Sequence, residues 1–359
     1  MTVASAGNHR VLQLVSRDDV GGVRVLSRMI EKGLREHGVE VDNLALLAPG
    51  GPIRKMLHVG KVVGRIATGR YDAILAHHAA ASVATGILGT LVGTPVRVSH
   101  LSAIPEAIRG HWRVFDRALG ALGAYTAIVS NSLATTDAFS AYPSRYRKRI
   151  RLVAHGVSPL LEGVQHMDWR TRLGVPPGAK LLVATGRLTS QKGFDCAVEA
   201  LGDLPEVHLA IAGDGPERTR LLALAAGNGA AERFHLPGSV DHAELREFLL
   251  AGDIYLFPSV WETFGLAGAE ALIAGMPIVA SDLPVLREVL GDAGAAPGMV
   301  RYHAAGDAGG LALAVRTTLD DYPAPAARSR SAASARAHHS VERMIGKYLE
   351  LLDGQRPLT

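Results

Sequence analysis

Short apolar runs alternate with stretches of helical spacing along most of this chain, a pattern that predicts parallel strands joined by crossover helices. Arg10 to Ser16 reads as a first strand. Gly21-Gly22-Val23 then opens a helix running to Glu36, Gly38 closes it, and Val39 to Leu47 is a second strand. Further strands are expected at Asp72–His78, around Pro95–Ala103 and at Ala127–Ser132. In the second half an apolar run from Leu181 enters Gly186, and Leu209–Ala212 enters Gly213-Asp214-Gly215. Asp253–Ser259 reads as a strand, followed by a loop and a helix over Leu266–Ala274 with Gly275 as its cap. Ser340 to Leu352 again has apolar residues at helical spacing.

Length turns this pattern into a domain count. A chain of 359 residues with 40 glycines is too long for one ordinary core and fits two α/β domains of about 150 to 180 residues each. One cysteine, Cys196, allows no intramolecular disulfide and is consistent with a reducing compartment. Residues 1 to 10 lack the apolar core of a signal peptide, and no uninterrupted apolar run is long enough to span a bilayer. The expected location is therefore the cytoplasm, with a peripheral position on the inner face of the cell membrane as an extension of it.

Charge is unevenly divided. Residues 1 to 150 carry 19 Lys and Arg against 10 Asp and Glu, whereas residues 151 to 359 carry 19 against 24. Much of the excess lies in Arg54–Arg70 and Arg145–Arg151. The first tract spaces basic and apolar residues at roughly helical intervals, as a helix resting on an anionic membrane surface would. A solvated helix face is the competing reading, because Gly60, Gly64 and Gly69 weaken the helix. Nucleic acid is not an expected partner, since no aromatic stacking platform or nucleic-acid motif accompanies the basic tracts.

Candidate chemistry concentrates in the second half. Glu262 in the loop and Glu270 on the helix stand eight residues apart. Eight helical residues rise ~12 Å, too far for one acid/base pair but suited to the two ends of a long, hydroxyl-rich ligand. Gly265 and the bare helix start beside it offer amide N–H groups to an anion. An ordinary helix with one solvated glutamate is the alternative for this pair taken alone. Arg187 and Lys192 follow the strand that ends at Gly186, where two cations would neutralise a diphosphate. Together these residues point to a nucleotide sugar.

Four segments in order carry a family resemblance: Gly186-Arg187-Leu-x-x-x-Lys192-Gly193, Ala210-Ile-Ala-Gly213-Asp-Gly215-Pro-Glu217, Phe234-His-Leu-Pro-Gly238-Ser239-Val240, and Glu262 with Glu270. The chain resembles the family 4 glycosyltransferases, retaining enzymes of the GT-B fold. The resemblance implies two Rossmann-like domains facing each other across a donor and acceptor cleft: an acceptor-side domain at 1–157, a nucleotide-sugar domain at 158–336, and a C-terminal helix, 337–359, crossing back to the first. His155 stands where many relatives have asparagine before the second domain. It also implies that Glu270 bonds the ribose, that the backbone near Ser239 and Val240 meets the base, and that Gly186, Arg187 and Lys192 hold the diphosphate. Glu262 and the amides around Phe264, Gly265 and Leu266 would grip the sugar, Gly21 and Gly22 would let backbone approach the donor phosphate or the acceptor, and His100 would face the donor sugar.

The expected activity is transfer of a hexosyl-type sugar from a UDP- or GDP-sugar to an acceptor hydroxyl, in cell-surface glycan or glycolipid assembly. The acceptor could be a glycan, a lipid-linked glycan or a small molecule. No Asp-x-Asp motif occurs, so no essential metal or other cofactor is expected. Other GT-B chemistries, namely a sugar-nucleotide epimerase or a phosphorylase, and a non-catalytic sugar-nucleotide-binding module are the alternatives. A nicotinamide oxidoreductase is a weaker one, because Pro216 and Arg218 break the dinucleotide pattern after Gly213-x-Gly215.

Overall fold

The computed structural model describes residues 9–16, 22–48, 50–158, 160, 168–291 and 293–353. They form two compact units, one of Met1–Gly156 with Ser340–Thr359 and one of Val157–His339. Expected sequence boundaries shift slightly: Val157 and residues 337–339 fall in the second unit, because Ala337 and His338 complete the helix Pro325–His338.

Six parallel strands make the sheet of the first unit: β1 (Arg10–Val15), β2 (Glu40–Ala45), β3 (Ala73–His77), β4 (Val96–His100), β5 (Ala127–Ser130) and β6 (Ile150–Leu152), ordered β2-β1-β3-β4-β5-β6. β3 and β5 are buried along their whole length, as strands covered on both faces must be. Side chains alternate between faces. Leu12, Leu14, Ile74 and Ala76 pack with Val62 and Ile66 of the helix Pro52–Thr68. Val11, Ala73, Leu75 and Val98 pack on the other face with Leu26 and Ile30 of the helix Gly22–Glu36 and with Met344 and Tyr348 of the helix Val341–Asp353. Gly33 is what lets these two helices touch, because a Cβ there would run into the Ile345 side chain.

The second unit repeats the scheme with β7 (Lys180–Thr185), β8 (Val207–Ala212), β9 (Phe234–Gly238), β10 (Ile254–Phe257), β11 (Ile278–Ser281) and β12 (Val300–His303). These are also parallel, ordered β12-β11-β10-β7-β8-β9 around a core that includes Leu182, Leu209, Leu256 and Val279. In each sheet the chain first builds outward on one side and then returns to build on the other. The reversal leaves a crevice at the carboxyl ends of β1 and β3 in one unit, and of β7 and β10 in the other. Among the described residues, no helix is long and apolar enough to cross a membrane.

Candidate functional site

The crevice of the second unit is assembled from the loops that follow β7 and β10. After β7 the chain passes Gly186 and an exposed Arg187, makes a single turn at Ser190–Lys192 and enters the helix Phe194–Ala200 at Gly193. Gly193 has φ +59°, and a Cβ there would overlap the carbonyl oxygen of Pro258, so only glycine lets this loop press against the end of β10. Two hydrogen bonds tie the loops together, from Val260 N to Gln191 O (2.8 Å) and from Gln191 Nε2 to Trp261 O (3.2 Å).

That juncture brings Lys192 onto Glu262. Lys192 Nζ lies 2.5 Å from Glu262 Oε1, which also accepts from Ser259 Oγ at 2.9 Å, and Nζ sits 5.5 Å from the centre of the Phe257 ring. The sequence assigned the cation to phosphate and the carboxylate to sugar; in the fold the two are paired with each other. The Arg187 guanidinium, by contrast, has no ion-pair partner among the described residues.

Glu270 lies on the helix Leu266–Ile273, which starts at Gly265 with φ +91°. A Cβ on Gly265 would crowd Phe257 and Leu286, so the turn into this helix also depends on glycine. The amides of Leu266 and Ala267 have no helix carbonyl to donate to. The Glu270 carboxylate takes no hydrogen bond or ion pair among the described residues, and burial pushes its pKa up to about 7. Behind it, the Tyr255 hydroxyl of β10 bonds Thr185 Oγ1 at 2.9 Å. Burial raises the Tyr255 pKa, and the negative charge first of Glu270 and then of Glu262 raises it further, so this phenol has both carboxylates as electrostatic neighbours. Phe264 is buried edge-on to His339 with ring centres 5.5 Å apart, which leaves only its backbone for a ligand. Ser239 and Val240 follow Gly238 at the end of β9, with Ser239 exposed.

At the crevice of the first unit lies a cavity of about 350 Å³ lined in part by Ser16, His78, Ser102, Arg109, Trp112 and Asp116. His78 is held there at φ 74° and ψ 152°, a conformation that side chains other than glycine rarely adopt. Asp116 is buried; its Oδ2 accepts from Tyr146 OH at 2.8 Å, and burial raises its pKa. Gly22 is exposed at the first position of its helix, whereas Gly21 lies outside the described residues.

His100 requires a correction. It borders the cavity, but Nδ1 donates to Ala76 O (2.8 Å) and Nε2 accepts from Tyr348 OH (2.9 Å), so neither ring nitrogen is available to a sugar hydroxyl. Burial depresses its pKa to about 4, and it stacks on His77 with ring centres 4.3 Å apart. In this structure His100 anchors the C-terminal helix. His155 is a second interior histidine, with Asn131 Nδ2 3.1 Å from its Nε2 and its pKa depressed to about 3 by burial.

Residues 166–336 match the family model described as glycosyl transferases group 1. This segment belongs to that family. The fold is GT-B: the structure of Anabaena Alr3699/HepE in complex with UDP and glucose superposes with a TM-score of 0.78 over 96% of this chain and 99% of that one, at 21% identity. The 2-deoxystreptamine glucosyltransferase of Streptomyces kanamyceticus is 31% identical over 202 residues, 52% of this chain and 50% of that protein. A D-inositol 3-phosphate glycosyltransferase of Catenulispora acidiphila is 26% identical over 401 aligned positions, covering 94% of this chain and 93% of that protein. In several other curated relatives the match spans only 38% to 43% of their length.

The motifs singled out Gly186, Arg187, Lys192, Glu262, Gly265 and Glu270, which the fold gathers on the loops and helix that follow β7 and β10, but did not single out Tyr255, Ser259, Trp112 and Asp116. Tyr255 is concealed in an apolar run that reads as core. Trp112 and Asp116 occur on a helix with no motif, where only the fold shows that they face a cavity. Ser259 had a usable signal, a hydroxyl three residues before Glu262 at a strand's carboxyl end.

Proposed function

We propose that this chain transfers a hexosyl-type sugar from a nucleotide diphosphate sugar to an acceptor hydroxyl, retaining the anomeric configuration and using no metal. The observation that carries the reading is the Lys192–Glu262 pair, set at the carboxyl ends of β7 and β10, with Glu270, a carboxylate that has no partner among the described residues, on the adjoining helix. In this reading Glu270 accepts hydrogen bonds from the ribose, the backbone at Ser239 and Val240 meets the base, and Gly186 lets the diphosphate approach Arg187 and Lys192. Glu262 and the amides of Gly265 and Leu266 hold the sugar. As the donor binds, Lys192 is shared between Glu262 and phosphate, which frees one carboxylate oxygen for a sugar hydroxyl.

Negative charge grows on the leaving phosphate as the glycosidic bond breaks. Cations already held in place stabilise that charge, and losing one such interaction costs on the order of 3 kcal/mol of barrier. The leaving phosphate then accepts the proton of the attacking hydroxyl on the same face of the sugar, which accounts for retention without a protein nucleophile. UDP is the first nucleotide to test, because the Anabaena neighbour holds it. The cavity of the first unit is assigned to the acceptor, with Trp112 offering a ring face to a sugar or cyclitol and Arg109 a charge to an anionic substituent.

Thermal unfolding with UDP, GDP, ADP and TDP tests the donor assignment. A nucleotide at about one hundred times its Kd stabilises by about 2.7 kcal/mol. The expected result is a clear rise in Tm with one of the four, reduced in Glu270→Ala; no rise with any of them would reject the donor site. Lys192→Ala is expected to lose on the order of 100-fold in kcat with a nucleotide sugar, and full turnover by this variant would reject the assignment.

A further inference from the structure

The first unit has a surface whose chemistry donor and acceptor binding do not use. Leu12, Ile74, Ala76, Ser99 and Ile128 occupy register-paired positions on one face of its sheet. That face is covered side by side by the helix Pro52–Thr68 through Val62 and Ile66, by residues 79–92 through Ala81 and Leu88, and by the helix Gly110–Leu122 through Leu119. Large apolar side chains stay exposed on all three of these elements. Ile53 and Met56 are 72% and 69% exposed, Leu57 and Val63 are also exposed, Leu91 is 78% exposed beside Ile87 and Val92, and Leu122 is 75% exposed beyond Val114 and Phe115.

Ile53, Met56, Leu57 and Gly60 follow helical spacing, so the helix Pro52–Thr68 carries a second apolar stripe opposite the Val62–Ile66 side that seals the core. Charge on the layer has one sign. Arg54, Lys55 and Lys61 are exposed with no ion-pair partner among the described residues, and Arg113 and Arg117 are exposed on the third element. Across residues 52–68, 79–92 and 110–122 the one acidic residue is Asp116, which is buried. A protein partner with an ordinary mixed surface would find no exposed acid to pair with here. Exposed apolar side chains accompanied by cations of one sign match the interface of a bilayer with anionic headgroups.

We propose that this layer is a docking surface for an anionic lipid bilayer, with Ile53, Met56, Leu57, Leu91, Phe115 and Leu122 entering the interface and Arg54 and Lys61, which flank the stripe of the first helix, meeting the headgroups. The tract expected from the sequence thus supplies only one of three adjoining elements. The assignment is independent of the transferase reading, which depends on residues of the second unit and on the cavity.

Vesicle flotation tests it, using phosphatidylglycerol or phosphatidylcholine vesicles at low and high salt. The wild-type chain is expected to float with phosphatidylglycerol at low salt and to be partly released by high salt. Arg54→Glu with Lys61→Glu should weaken binding about fivefold or more per charge changed, and Ile53→Ser with Met56→Ser and Leu57→Ser should abolish it. Both variants alter exposed side chains, and an unchanged circular dichroism spectrum and ligand-free Tm certify their folding. Failure of the wild type to bind phosphatidylglycerol at low salt, or flotation unchanged in both variants, overturns the proposal. So does a stable dimer by light scattering that the serine variant turns into monomer, because a second copy would then cover the face.

Discussion

Glu270 is a carboxylate placed where it is costly to ionise. Burial raises its pKa from the ordinary 4.5 to about 7, with no cation or hydrogen-bond donor among the described residues to offset it. A raised carboxylate pKa means that the folded chain binds a proton the unfolded chain has released, so this residue's contribution to stability falls as pH rises from about 4.5 to about 7. Glu270→Gln should therefore stabilise the ligand-free protein at pH 8, by on the order of 1–3 kcal/mol, while weakening the nucleotide-induced Tm shift. Chemical denaturation at pH 5 and pH 8, each with and without nucleotide, measures both effects. A variant less stable at pH 8 than the parent would show that Glu270 has a partner in the fold. Motif spacing singled out this glutamate as a candidate, but its desolvation was not legible, because that depends on what packs around the helix Leu266–Ile273. The same holds for Lys192 and Glu262: each was identifiable as a residue, and their pairing depends on two loops 70 positions apart meeting over Gly193.

Among the elements, the helix Val341–Asp353 shows how far periodicity reaches. Its apolar spacing predicted a helix, and the family resemblance placed it on the first domain; the hydrogen bond from Tyr348 to His100 comes only with the fold. Removing that hydroxyl leaves a buried ring nitrogen unsatisfied, a loss of about 1–3 kcal/mol. Tyr348→Phe should therefore lower Tm and speed hydrogen exchange in this helix and in β4, with little change in the exchange of β7 and β10. Equal acceleration in both units would refute the local role assigned to the pair. The helix Pro52–Thr68 shows the opposite limit. Gly60 and Gly64 argue against it by propensity, yet Val62 and Ile66 are buried on the sheet, and tertiary burial outweighs a glycine penalty of about 1 kcal/mol each.

For the whole molecule, acid is the condition that should separate the two units. His77, His100 and His155 are buried in the first, and burial lowers the pKa of all three: to about 4 for His100, to about 3 for His155 and well below the ordinary value for His77. The unfolded chain takes up protons near pH 6.5 that these folded side chains refuse, so their contribution is complete above about pH 6.5 and is lost as pH falls from there toward 4. Burial also lowers the pKa of His208, His235 and His303 in the second unit, but not by so large a shift, so acid unfolding should begin in the first unit. Pulsed hydrogen exchange at pH 5 is expected to show β3, β4 and β5 opening before β8 and β10, and the reverse order would mean that the histidine cluster does not control acid stability. None of this could be inferred from the histidine count, because an exposed histidine shows no such penalty.

Sequence alone determined the alternation of strand and helix, the glycines at the strand ends and the chemical types clustered near the second crevice. Each of these is a local property, set by backbone sterics, side-chain period and short spacing. The tertiary structure alone decided which polar groups found partners: Lys192 with Glu262, His100 with Tyr348, and none among the described residues for the Glu270 carboxylate. It also decided that three adjoining elements of the first unit leave large apolar side chains exposed. Hydrogen bonding and desolvation act over a few ångströms in space, and only folding brings residues tens or hundreds of positions apart within that range.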